Sequence, residues 1–330
     1  MFYILSMYLY ARARTGRQDP ARWSYLLLSL AAALLALGSK ENAILLPVSI
    51  VFYEAFVLTD APIRSLRKHW KPAVLLFAAL LGAALAYLVA VKGGGSLSML
   101  NGYGHRIFSL EERLLTEPRV LLFYISLILY PIPQRFSISH DVELSTSLWD
   151  PLTTILSMLV IALLVAGSFL LRKNRPIIAF SILFFFLNHV VESTYLPLEL
   201  VFEHRNYIPS MLLFVPFSVL FVTMLYSPTL HPWIRRSAGV GILCLPIAFG
   251  SASYIRNLDW KTGERLWKNA VLKNPDSWRP FHNVGVQYLE SGDYRRAVRW
   301  FHKALQKKNT TLRSEKHQTL FKLGVAYQAM

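Results

Sequence analysis

The sequence predicts an all-α protein: a polytopic transmembrane helical bundle followed by an α-helical repeat module. Three observations carry that prediction. Hydrophobic residues make up 54% of the 330 and charged residues only 16%, well below the roughly 25% charged residues usual in soluble domains. The apolar residues fall in blocks rather than in alternation. From Asn257 onward the blocks give way to amphipathic segments with small and aromatic residues at repeating offsets.

Nine apolar segments precede that change, at residues 2–11, 23–37, 43–58, 73–91, 119–132, 152–171, 177–191, 211–226 and 238–255. A spanning helix takes about 20 apolar residues, and several of these runs are shorter, as helices broken by proline or bent around a cavity are. The first run has no basic residues ahead of it and is not a cleaved signal peptide. Lys/Arg excess marks the connections at 12–22, 64–71, 172–175 and 235–236 as cytoplasmic. The connections at 38–42, 92–118, 133–150 and 192–206 are then external. Segment 119–132 has external loops on both sides and ends in Pro131-Ile132-Pro133, so it is read as re-entrant. The transmembrane domain covers 1–255, with about eight spans and one half-span. Met1 and everything after Ile255 fall outside.

The net charge of +16 is spread between the apolar runs rather than gathered on one face, which excludes a nucleic-acid partner and points to a bilayer. Cys244 is the single cysteine, so no intramolecular disulfide and no cysteine metal site can form.

Residues 256–330 read as paired helices. Phe281, Val284, Gly285 and Tyr288 keep the spacing of a tetratricopeptide first helix; Gly292 and Tyr294 mark the turn; Ala297, Phe301 and Ala304 mark the second helix. The best repeat is 278–309. Small residues let the two helices approach, and large ones fill the groove between them. Trp267, Ala270 and Pro275 suit the end of a preceding repeat. Leu320, Leu323, Gly324 and Tyr327 open another, about five residues later than the period of about 34 allows, so 310–317 holds an insertion. Stacked repeats bind peptides or proteins, which places a partner-binding face within 278–330. The module carries about 15 basic residues against six acidic ones, and a solvated surface accounts for that excess.

The external connections hold the candidate chemistry. Residues 191–210 carry Glu192, Glu199, Glu203, His204 and Arg205 between two apolar runs, and ionisable groups at a membrane edge are costly and functional by default. Arg205 presents a fork suited to a phosphate, with His204 assisting. The glutamates either hold a divalent cation or neutralise basic residues. Lys40 and Glu41 form a compact pair that can also meet a phosphate. His140 and Asp141 form a base-and-orienter candidate, although adjacent side chains rarely point the same way. Glu54 sits in an apolar run, either paired inside the bundle or at its cytoplasmic edge, and the edge is favoured. The glycine-rich 92–96 lacks phosphate-loop spacing. No metal-site motif such as H-E-x-x-H occurs among these residues.

Three groups of residues, in order, carry a family resemblance: Ser39-Lys40-Glu41 with Leu46-Pro47 and Tyr53-Glu54; Glu203-His204-Arg205-Asn206-Tyr207-Ile208-Pro209-Ser210; and Trp260, Leu266-Trp267 and Asn274-Pro275 leading into the repeats. The chain resembles the multi-pass glycosyltransferases of the C-type superfamily that carry C-terminal tetratricopeptide repeats, such as the cadherin O-mannosyltransferases, and the His-Arg-Asn wording is similar to bacterial members. The resemblance implies transfer of a sugar from a polyprenyl-phosphate donor to protein hydroxyls on the non-cytoplasmic side, with the acceptor recruited by the repeats. It implies a bacterial inner-membrane location and a donor phosphate held by Arg205, Lys40 and His204, supported by Glu41, Glu192, Glu199 and Glu203. The family's catalytic acid lies in a first external loop, expected upstream of Met1; within the chain the base candidates are His140 and Asp141. The alternative is a non-catalytic membrane scaffold acting through the repeats. A lipid-linked oligosaccharide polymerase or transporter would need no peptide-binding module.

Overall fold

A computed structural model describes residues 1–16, 19–58, 103–104, 106–307 and 313–330. The apolar segment at 73–91, the basic connection at 64–71 and the glycine-rich 92–96 lie outside the described residues. The same is true of part of the 310–317 insertion. Among the described residues the chain is all-helical. It separates into two compact units. One contains 1–99, 159–196 and 207–219; the other contains 100–158, 197–206 and 220–330. This partition interleaves along the chain and does not divide at residue 255.

In the first unit, helix α1 (Phe2–Thr15) packs along α2 (Arg22–Ser39). Lys40 then turns to extended backbone and stops α2. A 3₁₀ turn (Glu41–Leu45) leads into α3 (Leu46–Tyr53), which closes in a π turn (Glu54–Leu58). The core gathers Tyr3, Met7, Ala36, Leu46, Ile50, Phe180 and Phe184, with Tyr3 meeting Phe184 edge-on at 5.9 Å. Polar side chains join the helices through this core. Tyr3 and Ser49 share a hydrogen bond of 2.6 Å, and Ser6 Oγ donates to the Ser29 carbonyl at 2.8 Å. Glu54 is held by the Arg14 guanidinium and by the Tyr10 hydroxyl, which donates at 3.1 Å. It is thus paired, and its partner belongs to a basic stretch expected at the cytoplasmic edge.

Among the described residues four helical stretches are long and apolar enough to cross a membrane: Arg22–Ser39, Glu41–Leu58, Thr153–Leu171 (α5) and Pro232–Asp259 (α8). A fifth arises if the 3₁₀ pair at Glu203–Leu212 and α7 (Val215–Tyr226), bent by 43°, form one broken span. Helix α6 (Pro176–His189) is apolar but shorter. Leu27, Leu163, Leu170, Leu243 and Ile247 stand well exposed on these helices, as lipid-facing residues do. Helix α8 has 28 residues, about 42 Å at 1.5 Å per residue, and runs beyond the apolar block at 238–255 at both ends.

The second unit begins with α4 (Leu110–Leu129), and here the expected boundary moves. The segment read from 119 starts nine residues earlier and passes through Pro118. A capping box explains the start: Ser109 Oγ accepts the Glu112 amide at 3.2 Å, and Glu112 accepts the Ser109 amide at 2.8 Å. Arg113 and Glu117, both buried, pair at 2.7 Å across the first turns. The polar half of the helix has no apolar stripe, so periodicity could not find it.

Helices α9 (Gly263–Lys273), α10 (Trp278–Glu290), α11 (Tyr294–Leu305) and α12 (Arg313–Gln328) pack in succession. Thr262 caps α9 and Asp293 caps α11. Gly292 takes φ +78 in the tight turn before α11, a conformation that costs glycine nothing. At Gly285 a Cβ would fall 2.6 Å from the Phe301 ring. The close approach expected from the small residues is therefore real at this crossing. Helix α12 begins inside the expected insertion.

His282 gives these helices an acid limit. It is buried, stacks on Trp278 at 4.8 Å, and meets the Thr319 hydroxyl through Nδ1 at 3.0 Å. Burial, reinforced by the positive charge of Lys322, lowers its pKa from 6.5 to about 4. The folded state therefore favours neutral imidazole, while the unfolded chain takes up a proton near 6.5. Its contribution is complete above that value and is lost as pH falls through about 4. A loss of roughly 3 kcal/mol across this window is expected, read as thermal unfolding against pH. His282→Gln should flatten that slope; an unchanged slope would show that other groups set it.

Candidate functional site

The candidate residues fall into two groups, one in each unit. In the first unit, Glu192 Oε1 accepts the Asn42 side-chain amide at 2.6 Å and lies 3.2 Å from Lys40 Nζ. Lys40 and Glu192, 152 positions apart in sequence, are thus an ion pair, while Glu41 opens the 3₁₀ turn beside them. Asn188 and His189 are buried at the end of α6, each bonded to a carbonyl one helical turn back.

The second unit holds the larger constellation, built on residues 197–206. Pro197 interrupts regular structure there and leaves carbonyls needing donors. Three arginines supply them, and a fourth meets the Glu199 side chain. Arg106 donates to the Pro197 carbonyl at 2.8 Å and Arg113 to that of Leu198. Arg205 donates to the carbonyls of Glu199 at 2.6 Å and Leu200 at 3.3 Å. Arg279, from α10, reaches the Glu199 carboxylate at 2.6 Å, and Arg106 reaches the same oxygen at 2.5 Å. Burial raises the Glu199 carboxyl, but Arg279 and then Arg106 more than reverse this and hold it below the usual carboxylate range. That pairing is therefore intact above the ordinary range and is lost as pH falls through the lowered value. Among the described residues Glu199 pairs with Arg106 and Arg279, and Glu117 with Arg113.

Arg205 is 4% exposed. Its guanidinium carbon lies 5.1 Å from the Phe202 ring centre, against which His204 also stacks at 5.2 Å. The Tyr124 hydroxyl accepts the Phe202 amide at 2.8 Å and donates to its carbonyl at 3.2 Å. Arg205 thus fastens its own loop as well as adding charge to it. Arg106 and Arg279 keep about a quarter to a third of their side chains exposed, at 28% and 35%.

A third feature is His140. Its Nε2 lies 2.7 Å from Glu203 Oε1, which also accepts the Ser137 amide at 2.7 Å. The sequence offered Asp141 as its partner; the structure supplies Glu203, from 63 positions away. Asp141 instead presents its amide to Asn274 Oδ1 at 3.2 Å. Asn274 also donates to Ser137 Oγ and the Ser139 carbonyl, and Lys273 Nζ donates to the carbonyls of Pro133 and Phe136. Desolvation, then the charge of Arg256, lowers the Lys273 pKa. The end of α9 therefore braces the loop that carries His140.

Glu192, Glu199 and Glu203 each meet nitrogen donors. Among the described residues no group of three or more His, Cys, Asp or Glu is placed to hold a metal ion. Sequence reasoning missed Arg106, Arg113 and Arg279. Arg279 had a faint signal, as an arginine in an amphipathic segment where lysine would serve a solvated face equally well. No family model, no curated protein and no solved structure matches this chain.

Proposed function

We propose that the chain acts as a membrane glycosyltransferase that moves a sugar from a polyprenyl-phosphate donor to protein hydroxyls on the non-cytoplasmic side of a bacterial inner membrane. The observation that carries this reading is the four-arginine cluster around residues 197–200, in a chain with four or five potential spans among the described residues. Guanidinium groups in a partly buried setting suit a phosphate, and they stabilise charge that develops on a leaving phosphate. Arg205 holds the segment, and Arg106 and Arg279 offer the exposed donors. We read α10 and α11 as a tetratricopeptide repeat that presents the acceptor; the close contact at Gly285 and Phe301 supports this. His204 remains a donor-side candidate, with Glu199 and Glu203 in support.

The test is sugar transfer by the full chain in proteoliposomes, with a polyprenyl-phosphate-linked sugar and a serine- or threonine-containing peptide. Transfer that falls at least tenfold in the Arg106→Ala, Arg279→Ala double variant is expected; transfer independent of both arginines would sink the reading. Protease protection of the C-terminal helices on the donor-bearing side checks the sidedness.

One observation favours a second reading. Arg205 directs Nη1 at carbonyls of its own loop, as an arginine with a structural task does. A non-catalytic scaffold would show no transfer, and substitutions on the repeat helices alone would abolish partner capture.

A further inference from the structure

We propose that His140 and Glu203 form a proton-transfer dyad, with Nδ1 of His140 as the atom that accepts the proton of the acceptor hydroxyl; this rests on the transferase reading above. Glu203 Oε1 receives the Ser137 backbone N–H at 2.7 Å, and a backbone amide can only donate. The same oxygen lies 2.7 Å from His140 Nε2, so the ring nitrogen donates to it. That fixes the Nε2–H tautomer and leaves the lone pair on Nδ1. Among the described residues Glu203 is the one hydrogen-bond partner of the imidazole. The ring is held on its other side by Phe123, edge-on at 5.3 Å and 72°. Its side chain is 11% exposed, so it sits in a mostly dry setting that an incoming hydroxyl can still reach.

The support around the dyad has the form that orients a base. Asn274 fixes the backbone on both sides of Ile138 through Ser137 Oγ at 3.1 Å and the Ser139 carbonyl at 2.5 Å. Glu203 opens the 3₁₀ turn that also carries Arg205, so the residue that orients His140 and one arginine of the cluster share one turn. The elements packed here also carry Asp141, Lys273, Arg205, Arg135 and the Arg119–Glu143 pair.

In the step assigned to the dyad, the acceptor oxygen forms its bond to the anomeric carbon as its proton passes to Nδ1. The bond from the anomeric carbon to the phosphate oxygen breaks, and its electron pair leaves with the polyprenyl phosphate. Glu203 stays ionised and stabilises the imidazolium. It is a positioning residue; His140 is the catalytic one.

Two readouts on the full chain test this. In the proteoliposome transfer assay, His140→Gln is expected to lower kcat by about 100-fold or more with little change in KM. Glu203→Gln should lower kcat by at least tenfold, and Glu203→Asp should restore part of it. Independently, ¹⁵N-histidine NMR of the solubilised chain, assigned by difference from His140→Gln, should show the Nε2–H tautomer and its loss in Glu203→Gln. An Nδ1–H tautomer in the wild type, or full kcat in His140→Gln, overturns the dyad. So does an effect of Asp141→Asn as large as that of Glu203→Gln. A wild type that shows the expected tautomer but transfers no sugar overturns the transferase reading and the substrate assigned here, while the dyad itself stands.

Discussion

Replacing Phe301 by alanine is expected to destabilise the C-terminal helices by about 3–5 kcal/mol. The ring is fully buried among Val284, Tyr288, Ala297, Leu323 and Ala326, and it lies against the bare backbone of Gly285. Gly285 has no side chain to move into the void, so the helices cannot close it without changing their crossing. Hydrogen exchange over α10–α12 and chemical denaturation would both report the loss. Phe321, on the exposed side of α12 at 69%, is the control, and its alanine variant should change stability by no more than about 0.5 kcal/mol. Equal effects at the two positions would mean that the packing between α10 and α11 does not hold the module together.

The second large effect is expected at Arg205. Arg205→Ala removes two charge-assisted hydrogen bonds, each worth roughly 1.5–3 kcal/mol, and leaves the Glu199 and Leu200 carbonyls short of a donor. Residues 197–206 should loosen, with faster hydrogen exchange. In the transfer assay the rate should fall by about 100-fold or more, the scale of losing a preorganised donor to a leaving group. Arg205→Lys keeps the charge but loses the planar group that lies against Phe202, so little recovery is expected. The pair of readouts separates the two functional readings. Loss of transfer with an ordered loop in the lysine variant points to a role at the phosphate. Loss of order with no transfer in any variant, wild type included, points to the scaffold.

What was legible in the sequence follows from which interactions are local. Helices α2, α5 and α8 announce themselves as apolar blocks. The crossing of α10 and α11 is written in Gly285, Ala297, Phe301 and Ala304, a few residues apart. The first half of α4 was hidden because a capping box and a buried ion pair hold it, and Pro118 reads as a stop. At the candidate site, residues 197–206 stood out by charge alone. Their partners did not, because Arg106, Arg279 and His140 are remote in sequence and chain proximity carries no trace of a contact made across 63 to 93 positions. Asp141 was a plausible partner for His140 only because it was adjacent.

The carboxylate of Glu199 accepts from Arg106 and Arg279 on the same oxygen. One of those cations belongs to the polar loop region and the other to α10. A chain cut before α10 would retain the loop with three of its four guanidiniums, and Glu199 would drift back toward an ordinary carboxyl. The C-terminal helices are therefore not baggage that can be detached to simplify biochemistry. They complete the electrostatics of residues 197–200, and measurements on the N-terminal part alone would describe a differently charged surface.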